Sequence, residues 1–123
     1  AIPQHIPHQD AVFNASRTAL YVGALMSGNY QYLNAALEDR LHQPYRIPLI
    51  TGTEAVFEAA KANGAYGAII SGAGSTLMAY VDPEKDCDII AAAMTDAFEK
   101  YGQRSTAHIL KLDLNGAREK EHS

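Results

Sequence analysis

The chain has 123 residues, 47% of them hydrophobic, and its 10 basic and 14 acidic side chains give a net charge of −4. This length fits one domain with a single core, and the charge excludes the basic footprint of a DNA- or RNA-binding protein. No apolar run approaches the ~20 residues that span a bilayer. The single cysteine, Cys87, excludes an internal disulfide framework. We therefore expect a cytoplasmic protein with no nucleic-acid or membrane partner.

The first half of the chain is predicted to be helical. One helix covers residues 11–28, because Asp10 suits the N-cap position and Gly28 suits the left-handed residue that ends a helix. A second helix is predicted over residues 29–43 and is expected to stop at Pro44. Its buried face is predicted to consist of Tyr30, Leu33, Leu37 and Leu41.

The next segments predict one more helix and then a hairpin. Residues 51–54, Thr-Gly-Thr-Glu, have the spacing of a capping box, and the helix that they open is expected to end at Asn63 and Gly64. The apolar runs 65–70 and 76–81 then predict two strands.

The last third is predicted to hold a long helix and a final strand. Asp82 and Pro83 are expected to open the helix, and Gly102 to end it. Residues 105–112 predict the strand, and the charged tail from residue 114 is expected to fray.

This order of elements predicts an α+β fold, with helices packed on one face of a small antiparallel sheet. A ferredoxin-like arrangement needs one more strand at the front, and no strand is predicted before Asp10. The chain also opens without methionine. We therefore expect residues 1–123 to be a fragment of a longer protein that lacks the first strand of its sheet.

A glycine-rich loop, Ser71-Gly72-Ala73-Gly74-Ser75-Thr76, separates the two strands of the hairpin. A P-loop would begin in the same way, but Ala73 stands where its lysine belongs and the next segment predicts a strand instead of a helix. A dinucleotide fingerprint fails because no third glycine follows. Two interpretations stay open: an ordinary hairpin connection, or a lining of hydroxyls and backbone N–H groups for a polar ligand.

Two arginines stand out as candidate anion-binding residues. Arg17 lies at the edge of the apolar stripe of the first helix, and Arg46 lies between Tyr45 and Ile47. Arginine commonly binds carboxylates and phosphates with two parallel hydrogen bonds. The alternative for each is a structural ion pair with Glu38 or Asp39.

Other reactive side chains form no recognisable set. No Ser-His-Asp or Cys-His arrangement is present, so no catalytic residue is predicted. His5 and His8 lie in a proline-bounded loop and His42 has no partner at metal-binding spacing, so no metal site is predicted.

Three segments, taken together, resemble a known family. Residues 8–25, 39–50 and 64–80, in this order and spacing, are similar to the carboxy-terminal half of homoserine kinases. These enzymes belong to the GHMP kinase superfamily, with galactokinase and mevalonate kinase. The resemblance runs from about Pro3 to Arg118, and the segment Asp-Arg-Leu-His-Gln-Pro-Tyr-Arg that ends at Arg46 is its most specific part.

The resemblance implies a function for the candidate residues. In this family the loop at 72–76 closes over the site of phosphoryl transfer, although Ser75 replaces the usual proline, and two arginines that match Arg17 and Arg46 hold the amino-acid substrate. Homoserine kinases transfer the γ-phosphate of ATP to the hydroxyl of L-homoserine, which gives O-phospho-L-homoserine for threonine biosynthesis. ATP and Mg²⁺ are bound mainly by the amino-terminal domain, whose motifs are missing from this sequence. We therefore expect the isolated chain to be inactive, with L-homoserine and its own amino-terminal domain as partners.

Other interpretations remain open at this point. The chain is alternatively part of another GHMP-type small-molecule kinase, or a stand-alone module that binds an amino acid and regulates a partner. A homodimer or domain-swapped form is also conceivable, because it would hide an exposed sheet edge.

Overall fold

The structure, a computed structural model, describes residues 1–120, so the last three residues of the charged tail lie outside the described part. Five α-helices and two strands follow one another within these described residues. They are α1 (His8–Ser27), α2 (Leu33–Ala36), α3 (Gln43–Arg46), α4 (Thr53–Ala62), β1 (Gly67–Ile70), β2 (Leu77–Tyr80) and α5 (Cys87–Lys100). Short 3₁₀ turns precede α2 at Tyr30–Tyr32 and follow α3 at Ile47–Leu49.

The two strands form an antiparallel hairpin, in which Ala68 pairs with Ala79 and Gly67 pairs with Tyr80. The face that carries Ala68 and Ala79 packs on α4 and α5. The core cluster of this face consists of Ala60, Ala65 and Ile90, surrounded by Ala68, Ala79, Val81 and Met94. Because most of these side chains are alanines, the helices approach the sheet closely.

The other face of the sheet is covered from the first half of the chain. Successive side chains of a strand point to opposite faces, so Tyr80 points away from the face of Ala79. The Tyr80 hydroxyl lies 2.9 Å from the hydroxyl of Tyr21 on α1. Gly67, on the same face, lies so close to Leu37 that a Cβ added there would meet Leu37 Cδ1 at 2.7 Å. The sheet therefore carries α4 and α5 on one face and the α1–α2 region on the other.

Several predictions from the sequence are confirmed. The class is α+β, with helices packed against a small antiparallel sheet. Gly28 ends α1 in the left-handed conformation, with φ of 74°, and Gly102 follows α5 with φ of 72°. The helix expected before Gly64 and the hairpin around residues 71–76 are also present.

The predicted starts of three helices were wrong in detail. Helix α1 begins two residues before Asp10, after an extended Pro7, and Asp10 accepts a hydrogen bond from Arg40 instead of capping the helix. No capping box opens α4, because its N-cap is Gly52 instead of Thr51 and no side chain caps it. Asp82 forms a turn by accepting from the Glu84 N–H.

Helix α5 is capped four residues later than predicted. The Asp86 side chain accepts hydrogen bonds from the N–H groups of Asp88 and Ile89. Asp82 is not the N-cap of α5. Its second carboxylate oxygen instead accepts a hydrogen bond from the Tyr66 hydroxyl at 2.7 Å. The pKa of Asp82 is held below its ordinary value by the hydrogen bonds from the Glu84 backbone and from Tyr66.

The predicted helix over residues 29–43 was also wrong, because it is divided. Helix α2 ends at Ala36, and the segment from Glu38 to His42 bends around the Asp39 side chain. Pro44 lies in the first turn of α3, where a proline without an N–H is tolerated, so it helps to start a helix instead of stopping one. Leu33 is buried as predicted, but Tyr30 is exposed.

The final strand predicted over residues 105–112 is absent, so the sheet has two strands in the described part of the chain. These residues are exposed, and Leu110 and Leu112 are more than four-fifths exposed. A strand requires a backbone partner, and the alternation of apolar side chains does not supply one. The predicted strand was therefore wrong, because apolar alternation alone does not provide a neighbouring strand for backbone hydrogen bonds.

Replacing the capping side chain of α5 tests this assignment. We expect Asp86→Ala to lower the free energy of unfolding by about 1 kcal/mol, because two N–H groups lose their acceptor. Exposed Glu84, to which no side-chain hydrogen bond is assigned, offers the control, and Glu84→Ala is expected to change stability by less than about 0.5 kcal/mol. Urea unfolding of both variants measures the difference, and equal stabilities would contradict the assignment.

Candidate functional site

A cavity of about 370 Å³ lies between α1, the segment that joins α2 to α3, and the second face of the sheet. Helix α1 contributes side chains at helical spacing, which places them on one face of the helix: Asn14, Arg17, Thr18 and Tyr21. The opposite side is formed by Ala36, Leu37, Glu38, Asp39, His42 and Gln43. The sheet contributes Ile69, Ile70 and Tyr80.

The guanidinium of Arg17 forms part of the cavity wall. One of its terminal nitrogens, Nη2, donates to Glu38 Oε2 at 3.4 Å, so the predicted alternative of an ion pair is present. Glu38 is 53% exposed, and exposed pairs of this kind contribute only ~0–1 kcal/mol. The Arg17 Nε is buried and has no hydrogen-bond partner within the described residues. Arg17 thus combines a cavity-lining guanidinium with one nitrogen that the protein leaves without an acceptor.

An aromatic ring supports this arginine from one side. The guanidinium carbons of Arg17 and Arg40 lie 4.2 Å and 3.8 Å from the ring centroid of Phe13. Such cation–π contacts restrict the orientation of a guanidinium. Arg40 also pairs with Asp10 at 3.3 Å, so its charge is partly neutralised.

Arg46 is the last residue of α3. Its Nε is also buried without a hydrogen-bond partner, and no ion pair is assigned to it within residues 1–120. Arg46 is not among the residues that line the cavity of Arg17. The structure therefore gives both arginines an open donor but does not bring them into one cavity.

Asp39 organises the segment between the arginines. Its carboxylate accepts from the N–H groups of Leu41, His42 and Gln43, and from Asn14 Nδ2 at 2.8 Å. Burial alone would raise the pKa of Asp39, but the hydrogen bonds from the Gln43 backbone, Asn14 and the other N–H groups outweigh burial and hold its pKa below the ordinary value. Sequence reasoning treated Asp39 only as an ion-pair partner. The signal that could have identified this role is an aspartate shortly before a proline that starts a helix, because Asp side chains commonly accept hydrogen bonds from nearby backbone N–H groups.

Gln43 bridges this segment and the sheet. Its side-chain oxygen accepts the Ile70 N–H at 2.8 Å, and its side-chain nitrogen donates to the Leu37 carbonyl at 3.3 Å. Nothing in the sequence pattern identified the role of this residue, because both partners are backbone groups and Ile70 lies 27 residues away along the chain.

The glycine-rich loop forms the predicted hairpin connection, and all six of its residues are exposed. Ser71 N–H donates to the Thr76 carbonyl at 2.8 Å, and Gly74 N–H donates to the Ser71 carbonyl at 3.2 Å. Gly72 and Gly74 have φ of 58° and 88°, a region that favours glycine. The loop lies beside the cavity, since Ile70 lines it, but none of residues 71–76 does so.

The loop also packs on the segment that follows Arg46. A Cβ added at Gly74 would meet Ile50 Cδ1 at 2.6 Å, whereas one added at Gly72 would meet nothing within 4 Å. The loop is therefore held against Ile50 at one glycine and is open at the other.

Two tyrosines, Tyr21 and Tyr80, also line the cavity. The hydroxyls of Tyr21 and Tyr80 lie 2.9 Å apart, and their rings meet edge to face at 6.0 Å between centroids. Burial, followed by the hydrogen bond with Tyr21, raises the pKa of Tyr80 well above its ordinary value. The Tyr80 hydroxyl is therefore protonated at neutral pH.

Within residues 1–120 no group of three or more His, Cys, Asp or Glu side chains is arranged to hold a metal ion. No helix in this part of the chain has the length and apolar character of a membrane span.

These observations define a class of protein: an α+β domain that carries unpaired arginine donors and a glycine-rich hairpin. The family model described as GHMP kinases C terminal matches residues 7–100, and the chain therefore belongs to this family.

Several homoserine kinases are similar to this chain in sequence. That of Picosynechococcus sp. is 47% identical over 115 residues, which are 94% of this chain and 37% of the relative. That of Trichormus variabilis is 44% identical over 116 residues, which are 94% of this chain and 38% of the relative. The chain thus spans less than two-fifths of the length of these relatives.

A solved structure agrees with this relationship. The crystal structure of homoserine kinase from Cytophaga hutchinsonii superposes with a TM-score of 0.74 at 28% identity, and the match covers 80% of this chain and 31% of that one. The predicted resemblance to the carboxy-terminal domain of this family is confirmed.

Stability is expected to depend on the ionisation of Asp39. Because the folded state lowers the pKa of this carboxyl, its contribution is present above the unfolded pKa of about 3.9 and is lost as the pH falls through the folded pKa. We expect Asp39→Asn to lower the unfolding free energy by about 1–2 kcal/mol at neutral pH and to reduce the loss of stability in acid. Urea titrations from about pH 7 to pH 2 measure both effects. The exposed Asp96→Asn serves as the control, and an unchanged acid slope in Asp39→Asn would contradict the expectation.

The two glycines of the loop are expected to differ in their tolerance of a side chain. Gly72→Ala adds the strain of a left-handed backbone, about 1 kcal/mol, in open space. Gly74→Ala adds the same strain and a contact with Ile50, so we expect a loss of stability larger by about 1 kcal/mol or more. Thermal unfolding compares the pair, and a smaller loss for Gly74→Ala would show that the loop does not pack on Ile50.

Proposed function

We propose that this chain is the substrate-binding part of a kinase that uses ATP to phosphorylate the hydroxyl of L-homoserine, giving O-phospho-L-homoserine for threonine biosynthesis. The names of the relatives at 40–47% identity support this proposal. Activity, substrate and partners belong to the proposal, because the chain spans only part of the length of those proteins.

The observation that carries the proposal is the pair of unsatisfied arginine donors. Buried donors are rarely left without a partner, and each specific exception requires an explanation. Arg17 Nε and Arg46 Nε are both exceptions. The α-carboxylate of an amino acid supplies two oxygens, which suit the planar guanidinium group.

The role of this chain's residues in the reaction is to bind and orient. A carboxylate held by arginine at one end of a short amino acid fixes the direction of the side-chain hydroxyl at the other end. Positioning of this kind contributes up to several kcal/mol toward lowering the barrier of a two-substrate reaction. We assign carboxylate binding to Arg17 and Arg46, and closure around the substrate to the loop Ser71–Thr76.

The described residues do not fit a site for Mg²⁺, because no cluster of carboxylates is arranged to hold a metal ion within residues 1–120. Their glycine-rich loop also opens a strand instead of a helix, so it offers no helix N-terminus to a nucleotide phosphate. We therefore assign ATP and Mg²⁺ to an amino-terminal kinase domain, which would be the partner of this chain.

Joining the chain to a relative tests the proposal. A chimera combines the amino-terminal part of the Picosynechococcus homoserine kinase with residues 1–123 in place of the matching segment. We expect this chimera to form ADP in the presence of L-homoserine and the isolated chain to form none. Arg46→Ala and Arg17→Ala in the chimera are expected to lower kcat/KM for L-homoserine by about 10- to 100-fold each, the effect of losing a charge-assisted hydrogen bond.

Matched variants make the result specific. Arg46→Lys keeps the charge but loses the two-pronged geometry, so we expect it to recover only part of the activity. Arg104→Ala, outside the cavity, is expected to behave as the unmodified chimera. A chimera that folds but phosphorylates a different alcohol would support another GHMP-type kinase. Saturable binding of an amino acid by the isolated chain, with an inactive chimera, would support a regulatory module.

A further inference from the structure

We propose that Gln43 is a positioning residue that couples the arginine-bearing segment to the glycine-rich loop. Its role in the reaction rests on the proposed function, but the coupling itself is a property of this chain. Gln43 lies in the segment 39–46 that carries the family resemblance, but that resemblance assigns no role to it.

The geometry of Gln43 is that of a clamp with three attachments. Its side-chain oxygen accepts from Ile70 N–H at 2.8 Å and its side-chain nitrogen donates to the Leu37 carbonyl at 3.3 Å. Its backbone N–H donates to Asp39 Oδ2 at 2.6 Å. These three partners lie outside α3, and the side chain is held at both ends of its amide.

The position of Ile70 makes this clamp relevant to the loop. Ile70 is the last residue of β1, and the next N–H, that of Ser71, donates across the hairpin to Thr76. Successive N–H groups of a strand point to opposite sides. Because the Ser71 N–H points toward β2, the Ile70 N–H points away from it. Gln43 thus occupies the free edge of β1 immediately before the loop begins.

The other end of the clamp connects to both arginines. Gln43 is the first residue of α3 and Arg46 is the last, so the two move together as one helical turn. Asp39 links Gln43 to Asn14, which lies three residues before Arg17 on the same face of α1. A shift of either arginine on binding an anion is therefore transmitted through Gln43 to the start of the loop.

Hydrogen exchange of the full 123-residue chain without ligand tests the coupling. Gln43→Met keeps the length of the side chain and removes both hydrogen bonds, whereas Gln43→Glu keeps an acceptor for Ile70 N–H. In Gln43→Met we expect exchange of the Ile70, Ser71 and Gly74 amides to rise about fivefold or more, the effect of losing one net hydrogen bond. Tyr66 N–H, which donates to Tyr80 at the far end of the hairpin, is the internal control and is expected to change little.

A double substitution separates coupling from general loosening. Asp39→Asn alone is expected to speed exchange at Ser71 and Gly74, and to add nothing in the Gln43→Met background. Recovery of wild-type exchange in Gln43→Glu supports the clamp. The proposal is overturned if Ser71 and Gly74 exchange as in the wild type in Gln43→Met, or if Tyr66 accelerates equally.

Addition of L-homoserine distinguishes failure of this proposal from failure of the proposed function. We expect the ligand to slow exchange at Ser71 and Gly74 in the wild type and in Gln43→Glu, but not in Gln43→Met. Equal slowing in Gln43→Met would overturn the coupling and leave the substrate assignment intact. No response of the wild type to L-homoserine would count against the substrate assignment, while the ligand-free exchange rates still decide the coupling.

Discussion

The carboxylate of Asp39 is the constraint on which the candidate site depends. It collects three consecutive backbone N–H groups and the amide of Asn14, and so it fixes a bend where a continuous helix would otherwise run. This bend allows Pro44 to start a new helical turn that ends at Arg46. The same bend directs the Gln43 side chain to the edge of β1. One partly buried carboxylate, satisfied by hydrogen bonds, therefore orders the segment that joins helix α1 to the hairpin.

Both arginines contain a buried nitrogen that lacks a hydrogen-bond acceptor. Arg17 rests on Phe13 and has a weak, exposed partner in Glu38, while its Nε remains open. Arg46 has an open Nε as well. Unsatisfied buried donors cost free energy. This cost is the physical reason for proposing an anion-binding role for both residues, in addition to the ion pair that Arg17 forms with Glu38.

The sequence was informative where local chemistry decides the outcome. The left-handed Gly28, the hairpin and the helix before Gly64 follow from turn residues and apolar spacing, and all are present. The failures concern contacts between distant segments. The bend at Asp39 requires Asn14 from another helix, and residues 105–112 would have formed a strand only with a backbone partner. Gln43 could not be recognised because it binds main-chain groups, which any sequence supplies.

We propose that Arg17 and Arg46 bind the carboxylate of an amino acid. Arginine side-chain NMR of the 123-residue chain, recorded during titration with L-homoserine, tests this proposal. We expect saturable shifts of the Nε–H signals of Arg17 and Arg46, with the signals of exposed Arg104 and Arg118 unchanged. Equal shifts of all arginines, or no shift at Arg17 and Arg46, would contradict it.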